Sequence, residues 1–240
     1  MLDRRTSVLW LMPTDFERRR FLSIWNDEIP EHSPPDIYLC GFGPVASGIV
    51  TAQWLAERRP VEVVLCGIGG TFDPVLAPVG TAVEIGHVAT DTVGAQSRGA
   101  PFPELGKWEL PSEMGFPQIP SGLSLPAGPF ESKVDQELVL RQGSLGLLTV
   151  GIASGSRATA LERRKRFPGV LVEDMEGFSV ALACRLAGVR CSIYRGLTNE
   201  VGDRNVANWQ VDQSLRSLVQ LVFRAAVASQ TEPRPEGKIQ

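Results

Sequence analysis

The stretch Asp36–Gly70, "DIYLCGFGPVASGIVTAQWLAERRPVEVVLCGIGG", decides the fold. A short apolar run ends in Gly-Phe-Gly. Pro44 then opens a helical pattern with Val45, Ile49, Ala52 and Leu55 on one side. A second apolar run, "VEVVLC", passes into the glycine-rich "GIGG", read as a tight turn. Strand, helix and strand in this order form the crossover unit of a parallel sheet, and they deliver glycines twice to one edge of it.

The same alternation extends in both directions. Upstream, "SVLWLM" reads as a strand, and "TDFERRRFLSIW" as a helix that Thr14 or Asp15 caps. Downstream, Gly80–Thr90 reads as extended, and Gln96–Phe130 is an irregular, Pro- and Gly-containing excursion, a lid or a partner surface. A helical pattern follows near Val134–Leu140, then a strand at Leu145–Ile152, a helix over Arg157–Arg166 and a strand at Val170–Glu173. A helix over Glu176–Ala187, the strand "VRCSIYR", a polar loop and an amphipathic helix over Val206–Ser229 complete the pattern. The expectation is a single α/β domain over 1–230 with a disordered polar tail at 231–240.

The 240 residues, 43% of them apolar, suit one large core. A net charge of −3 offers no basic field for nucleic acid, so a small polar ligand is the expected partner. The first apolar run is far shorter than the roughly 20 residues of a membrane span, and no signal peptide is visible. Four cysteines without metal-ligand spacing suit reduced thiols of a cytoplasmic protein, and two histidines leave little for a metal cluster or a Ser–His–Asp triad.

Neither glycine segment matches a nucleotide loop. "GFGPVASG" places Pro44 where a dinucleotide fingerprint continues, and the next strand ends in glycine instead of an acid. "GIGGTF" lacks the Lys-Ser/Thr pair of a phosphate loop. These glycines make tight strand exits, or they allow a backbone to approach a ribose or a planar base. In "VEDMEGFSVALA", Glu173, Asp174 and Glu176 crowd a strand end and a helix start, where the backbone dipole favours anions. Capping accounts for such acids as readily as a site does.

"LMPTDFE", "GFGPVASG", "GIGG", "DMEGFSVALA" and "YRGLTNEVGDRN" with Trp209, in this order, resemble the purine nucleoside phosphorylase and nucleosidase superfamily over essentially the whole chain. The stretch from Ser154 to Trp209 is most similar to the futalosine hydrolases of the menaquinone pathway. The resemblance implies a three-layer αβα fold around a mixed sheet, usually as a homodimer or larger oligomer, and a reaction that needs no metal or organic cofactor. It also implies that Glu176 accepts hydrogen bonds from ribose hydroxyls, that Met175 packs against the sugar, and that Arg195 braces the glutamate. A carboxylate can take two vicinal hydroxyl protons while charge builds on the ring.

Other roles follow from the same resemblance. Adenine-specific members carry an acid where this chain has Asn199, whose amide cannot supply a proton. Its NH2 can donate to N7 of a 6-oxopurine such as hypoxanthine. By position, Asp15 orients the attacking water, or Glu17 does. Gly67, Ile68, Gly69 and Gly70, with Val150, Ile152 and Ala153, form the floor and the base slot. Futalosine carries a carboxyphenyl ketone where adenosine has its 5′ hydroxyl, and Arg204 is placed to pair that carboxylate. Asp174 is left with a cap alone. Phosphorolysis calls for a cationic cradle, and the glycine segments offer no arginine. The expected activity is therefore N-glycosidic hydrolysis of futalosine. The alternatives are an adenine-thioether nucleosidase, a 6-oxopurine nucleoside phosphorylase and a catalytically silent nucleoside-binding protein.

Overall fold

The computed structural model describes residues 8–92, 122–124 and 145–231. In chain order these form β1 (Val8–Met12), α1 (Asp15–Glu28), β2 (Ile37–Leu39), α2 (Pro44–Arg58), β3 (Glu62–Thr71), β4 (Ala82–Ile85), β5 (His87–Thr90), β6 (Gly122–Ser124), β7 (Gly146–Thr149), α3 (Arg157–Arg166), β8 (Val170–Asp174), α4 (Gly177–Leu186), β9 (Arg190–Glu200), a 3-10 turn (Val206–Asn208) and α5 (Val211–Thr231).

The strands belong to one mixed sheet, and β3 and β9 are its spine. The first half of β3 lies between β1 and β9, parallel to both. Its far end, Gly70 and Thr71, leaves β1 behind and pairs antiparallel with β8 instead. β4 pairs with β9, and after Gly86 the chain continues as β5, which pairs with β7, itself paired with β8. The pairings thus close a circuit, β3 to β9 to β4/β5 to β7 to β8 and back to β3. β2 and β1 extend the sheet on one side and β6 lies beyond β5.

Side-chain alternation along β1 and β3 feeds two cores, which makes the fold a three-layer α/β/α arrangement. Leu9, Leu11, Val63 and Leu65 face α2 and α4 in one cluster with Val180 and Cys184. Met12, Val64 and Cys66 face α1 and α5 in another, with Phe21, Trp25, Leu218 and Val222. Each such side chain removed from water stabilises the fold by about 1.5–3 kcal/mol, so both faces of the spine are held firmly.

Two elements differ from the sequence expectation, and both differences shape the cleft. "GIGG" is not a turn: β3 runs through the glycines to Thr71, with a register shift against β9 between Gly69 and Gly70. A Cβ on Gly69 would lie 2.9 Å from the carbonyl oxygen of Glu173, so glycine is what allows β8 to cross there. "GLTNE" is not a loop either, because the ladder with β3 carries β9 on to Glu200 and sets Asn199 opposite Gly70. The C-terminal helix begins at Val211, after the 3-10 turn. The helical pattern at Val134–Leu140, the tail after 231, and the excursion Gln96–Phe130 apart from the backbone of β6 lie outside the described residues.

Candidate active site

A cleft of about 550 Å³ opens at the carboxyl ends of β1, β3, β8 and β9, the edge at which α/β sheets take their ligands. Its size suits a nucleoside-sized molecule. Each acid reaches it by a different local device.

At the start of α1, Thr14 is the N-cap: its Oγ1 accepts from the backbone N–H of Glu17 at 3.3 Å and donates in turn to Glu17 Oε2. The other carboxylate oxygen of Glu17 accepts from Ile68 N–H at 2.9 Å, in the glycine stretch of β3. Glu17 lines the cleft and is only 4% exposed. Burial raises its pKa above the ordinary carboxyl value, against the opposing pull of Thr14, Ile68 and Arg195. Asp15, two residues earlier, points elsewhere. Its carboxylate is bound by Arg18 and Arg19 on the helix surface, which lower its pKa, and it is absent from the cleft lining. The expected placement of Asp15 in the cleft is therefore corrected: two residues further on, about 200° around the helix, it is position 17 that faces β3.

At the start of α4, Glu176 occupies the N-cap position, yet its side chain makes no capping bond. Asp174 and Thr149 do that work, accepting from Gly177 N–H and Phe178 N–H at 2.8 Å each. Glu176 turns to the cleft, where Oε1 accepts from Gly43 N–H at 2.9 Å. Gly43, with φ 84°, holds a backbone conformation that other residues rarely adopt. Burial, and next the negative charge of Asp174, push the Glu176 carboxyl up to about 7.

Asp174 does more than cap. Its Oδ2 also accepts from Arg195 Nε at 3.1 Å and Nη2 at 2.6 Å, and its Oδ1 accepts from Thr149 Oγ1 at 2.7 Å. Arg195 is 0% exposed and does not line the cleft. It stands 4.0 Å from Glu176, so it acts on the glutamate through the field and not by direct contact with a ligand.

The opposite end of the cleft is polar and fixed. Asn199, 9% exposed, gives its NH2 hydrogens to the carbonyls of Glu200 at 2.8 Å and Asp203 at 3.4 Å, and its Oδ1 accepts from Thr198 Oγ1 at 2.8 Å. The expected NH2 donation to a base is thus already spent on backbone, and Oδ1 is the group with capacity left. Glu173, also in the lining, is held by Ser154 and Arg163. Arg204 is exposed and lies 5.4 Å from the Trp209 ring centroid, a cation–π arrangement beside the cleft.

The structure therefore gathers Ile68, Gly69, Ala153, Met175, Glu176, Asn199 and Arg204 around one cavity. It leaves out Asp15, Arg195, Gly67 and Ile152. Ile152 is 80% exposed and contributes only its carbonyl, to Arg163 Nη2 at 2.9 Å. Gly67 supplies room: a Cβ there would lie 3.0 Å from Arg195 Nη1 and 3.1 Å from Glu17 Oε1. Among the lining residues that sequence reasoning missed as site members are Glu173 and Ser154. Both sat in stretches with a ready local explanation, and the one signal was a third acid beside Asp174 and Glu176. Among the described residues no group of three or more His, Cys, Asp or Glu is arranged to hold a metal, and no helix is long and apolar enough to cross a membrane.

Residues 33–229 match the model of the phosphorylase superfamily. Futalosine hydrolase from Streptomyces coelicolor is 32% identical over 196 residues, which cover 80% of this chain and 78% of that protein. The solved structure of Helicobacter pylori futalosine hydrolase superposes with a TM-score of 0.67 at 14% identity, over 92% of this chain and 97% of that one. The 5′-methylthioadenosine/S-adenosylhomocysteine nucleosidase of the same organism, solved with butyl-thio-DADMe-Immucillin-A, gives 0.68 at 13% identity, over 93% and 98%. At such identities the two structural likenesses speak for the fold alone.

Proposed function

Because the chain belongs to the phosphorylase superfamily, we propose that it hydrolyses the N-glycosidic bond of futalosine, releasing hypoxanthine and the sugar-linked remainder for menaquinone biosynthesis. The observation that carries this reading is the pairing of two buried, cleft-lining glutamates, Glu17 and Glu176, with no arginine or lysine beside them in the lining; Arg204, exposed, is the one cation among the described lining residues. A phosphate dianion as nucleophile meets repulsion from these carboxylates, whereas water is activated by them.

In this scheme Glu176 accepts hydrogen bonds from the ribose hydroxyls and Met175 packs on the sugar. Glu17, held by Thr14 and Ile68 N–H, takes a proton from water as it attacks the anomeric carbon. Positive charge develops on the ring in the transition state, where both carboxylates stabilise it. Asn199 cannot give a proton to the leaving base. N7 takes its proton from a second water, the hydroxide left behind is neutralised by the proton that Glu17 took up, and Asn199 Oδ1 accepts the resulting N7–H. Arg204 meets the carboxylate of the 5′ substituent while Trp209 flanks it. The four cysteines are buried and free, in keeping with a reducing cytoplasm. Exposed Phe42, Val45 and Ile49 at the start of α2 offer an apolar face for a second copy in a homo-oligomer.

Incubation with futalosine, inosine and 5′-methylthioadenosine, with and without phosphate, tests the reading. Hypoxanthine released from futalosine without phosphate is the expected result. Adenine release alone, or turnover only in phosphate, rejects it.

A further inference from the structure

We propose that Glu173 selects the base: its carboxylate accepts the N1–H of a 6-oxopurine and repels the N1 lone pair of a 6-aminopurine. This rests on the reading that the cleft holds a purine nucleoside, and it assigns a role to an acid that Ser154 and Arg163 hold in the cleft wall.

The strand register places Glu173 at the base end. Gly70 is paired with Glu173 on β8 and with Asn199 on β9. Residues directly opposite one another across a ladder project to the same face, so the two side chains stand on either side of a residue that has none. A flat ring lying over Gly70 would have Glu173 at one edge and Asn199 at the other. Both side chains line the cleft and are nearly buried, at 7% and 9% exposed.

Donor accounting fixes what the two ends present. Glu173 Oε1 accepts from Ser154 N–H at 2.9 Å, and Oε2 accepts from Ser154 Oγ at 2.6 Å and Arg163 Nη1 at 3.1 Å. Arg163 Nη1 also donates to Ser154 Oγ at 2.8 Å, so the serine hydroxyl hydrogen is directed to Glu173. Arg163 is itself tethered, by Asp91 at 3.0 Å and the Ile152 carbonyl at 2.9 Å. A carboxylate offers about four acceptor positions; these three donors leave one unfilled. Asn199, its NH2 committed to two carbonyls, likewise has only Oδ1 to offer. The slot thus ends in two acceptors.

A 6-oxopurine protonated at N7 carries hydrogens at N7 and N1, with O6 between them, and meets an acceptor at each. A 6-aminopurine has a bare lone pair at N1, and against a nearly buried carboxylate that lone pair finds no donor.

The test uses free bases, which bind without bond cleavage. Titration calorimetry on the wild-type protein is expected to show tighter binding of hypoxanthine than of adenine. Glu173→Gln keeps an oxygen for Ser154 Oγ and Arg163 Nη1, gives up the bond from Ser154 N–H, and sets an NH2 toward the base where Oε1 stood; it should lower that preference by about 10- to 100-fold. Equal loss for both bases, or no preference in the wild type, overturns the proposal. Should the variant not fold, the wild type decides: 1-methylhypoxanthine, which lacks the N1 hydrogen, should bind at least about 10-fold more weakly than hypoxanthine, and equal binding overturns it. Futalosine turnover in the same preparation reports separately on the hydrolase reading.

Discussion

Two helix starts frame the cleft, and their acids are placed by the same logic with different parts. At α1, Thr14 caps, Asp15 stays outside with Arg18 and Arg19, and Glu17 turns inward to Ile68. At α4, the residue in the cap position is itself the inward glutamate, and Asp174 with Thr149 satisfies the free N–H groups in its stead. In both places a neighbour does the capping, which frees a glutamate to sit buried with a raised pKa. A glutamate bonded to the helix N–H groups would be held charged and acidic. The difference is in cost. The α1 device uses a neutral hydroxyl, whereas the α4 device buries a second carboxylate and needs a fully buried arginine, Arg195, to balance it.

The largest effect is expected at Glu17. Glu17→Gln should lower kcat for futalosine hydrolysis by about 10³-fold while Asp15→Asn leaves it within about two-fold, its surface pairs adding little; steady-state kinetics on the two variants decide which acid serves the reaction. Next in size is Asp174→Ala, which strands Arg195 in the core and should cost about 3 kcal/mol of stability by urea denaturation. A loss no larger than that of an exposed ion pair would show that Arg195 is balanced by the two glutamates alone.

Glu176 supplies a pH test. Its folded-state pKa of about 7 lies above the ordinary 4.5, so between these values the folded state binds more protons than the unfolded one. Stability must then fall as pH rises through this window, by on the order of 2 kcal/mol between pH 5 and 8, and Glu176→Gln should flatten that slope. On the proposed role, in which the charged form accepts the ribose hydroxyls, kcat/KM should rise through the same interval; a profile flat from pH 5 to 8 would contradict it. The smallest effect expected is Thr14→Ala, about 1 kcal/mol for the lost cap, with a larger fall in kcat than in stability if the hydroxyl also steadies Glu17.

Much of the fold is legible along the chain. The apolar runs and helical periods around Asp36–Gly70 mark a crossover unit, and Pro44, Thr14 and the boundaries of Arg157–Arg166 appear where local chemistry requires them. Glu176, Met175 and Asn199 stand out through the short motifs "DMEG" and "YRGLTN", which resemble those of the superfamily; capping alone explains such acids as readily. These are local properties: propensity, capping and period act within a few residues, and a sequence states them directly.

Tertiary structure decided the rest. Glycines that read as a turn became strand because β8 and β9 needed a surface without side chains, and a polar loop became strand because β3 offered it a ladder. Glu17 displaced Asp15, and Glu173 joined the cleft, through partners 51 and 19 residues away, Ile68 and Ser154. Which of two neighbouring acids faces a ligand depends on what the chain brings back from far along its length. No spacing in the sequence records that distance, so only the folded arrangement could settle it.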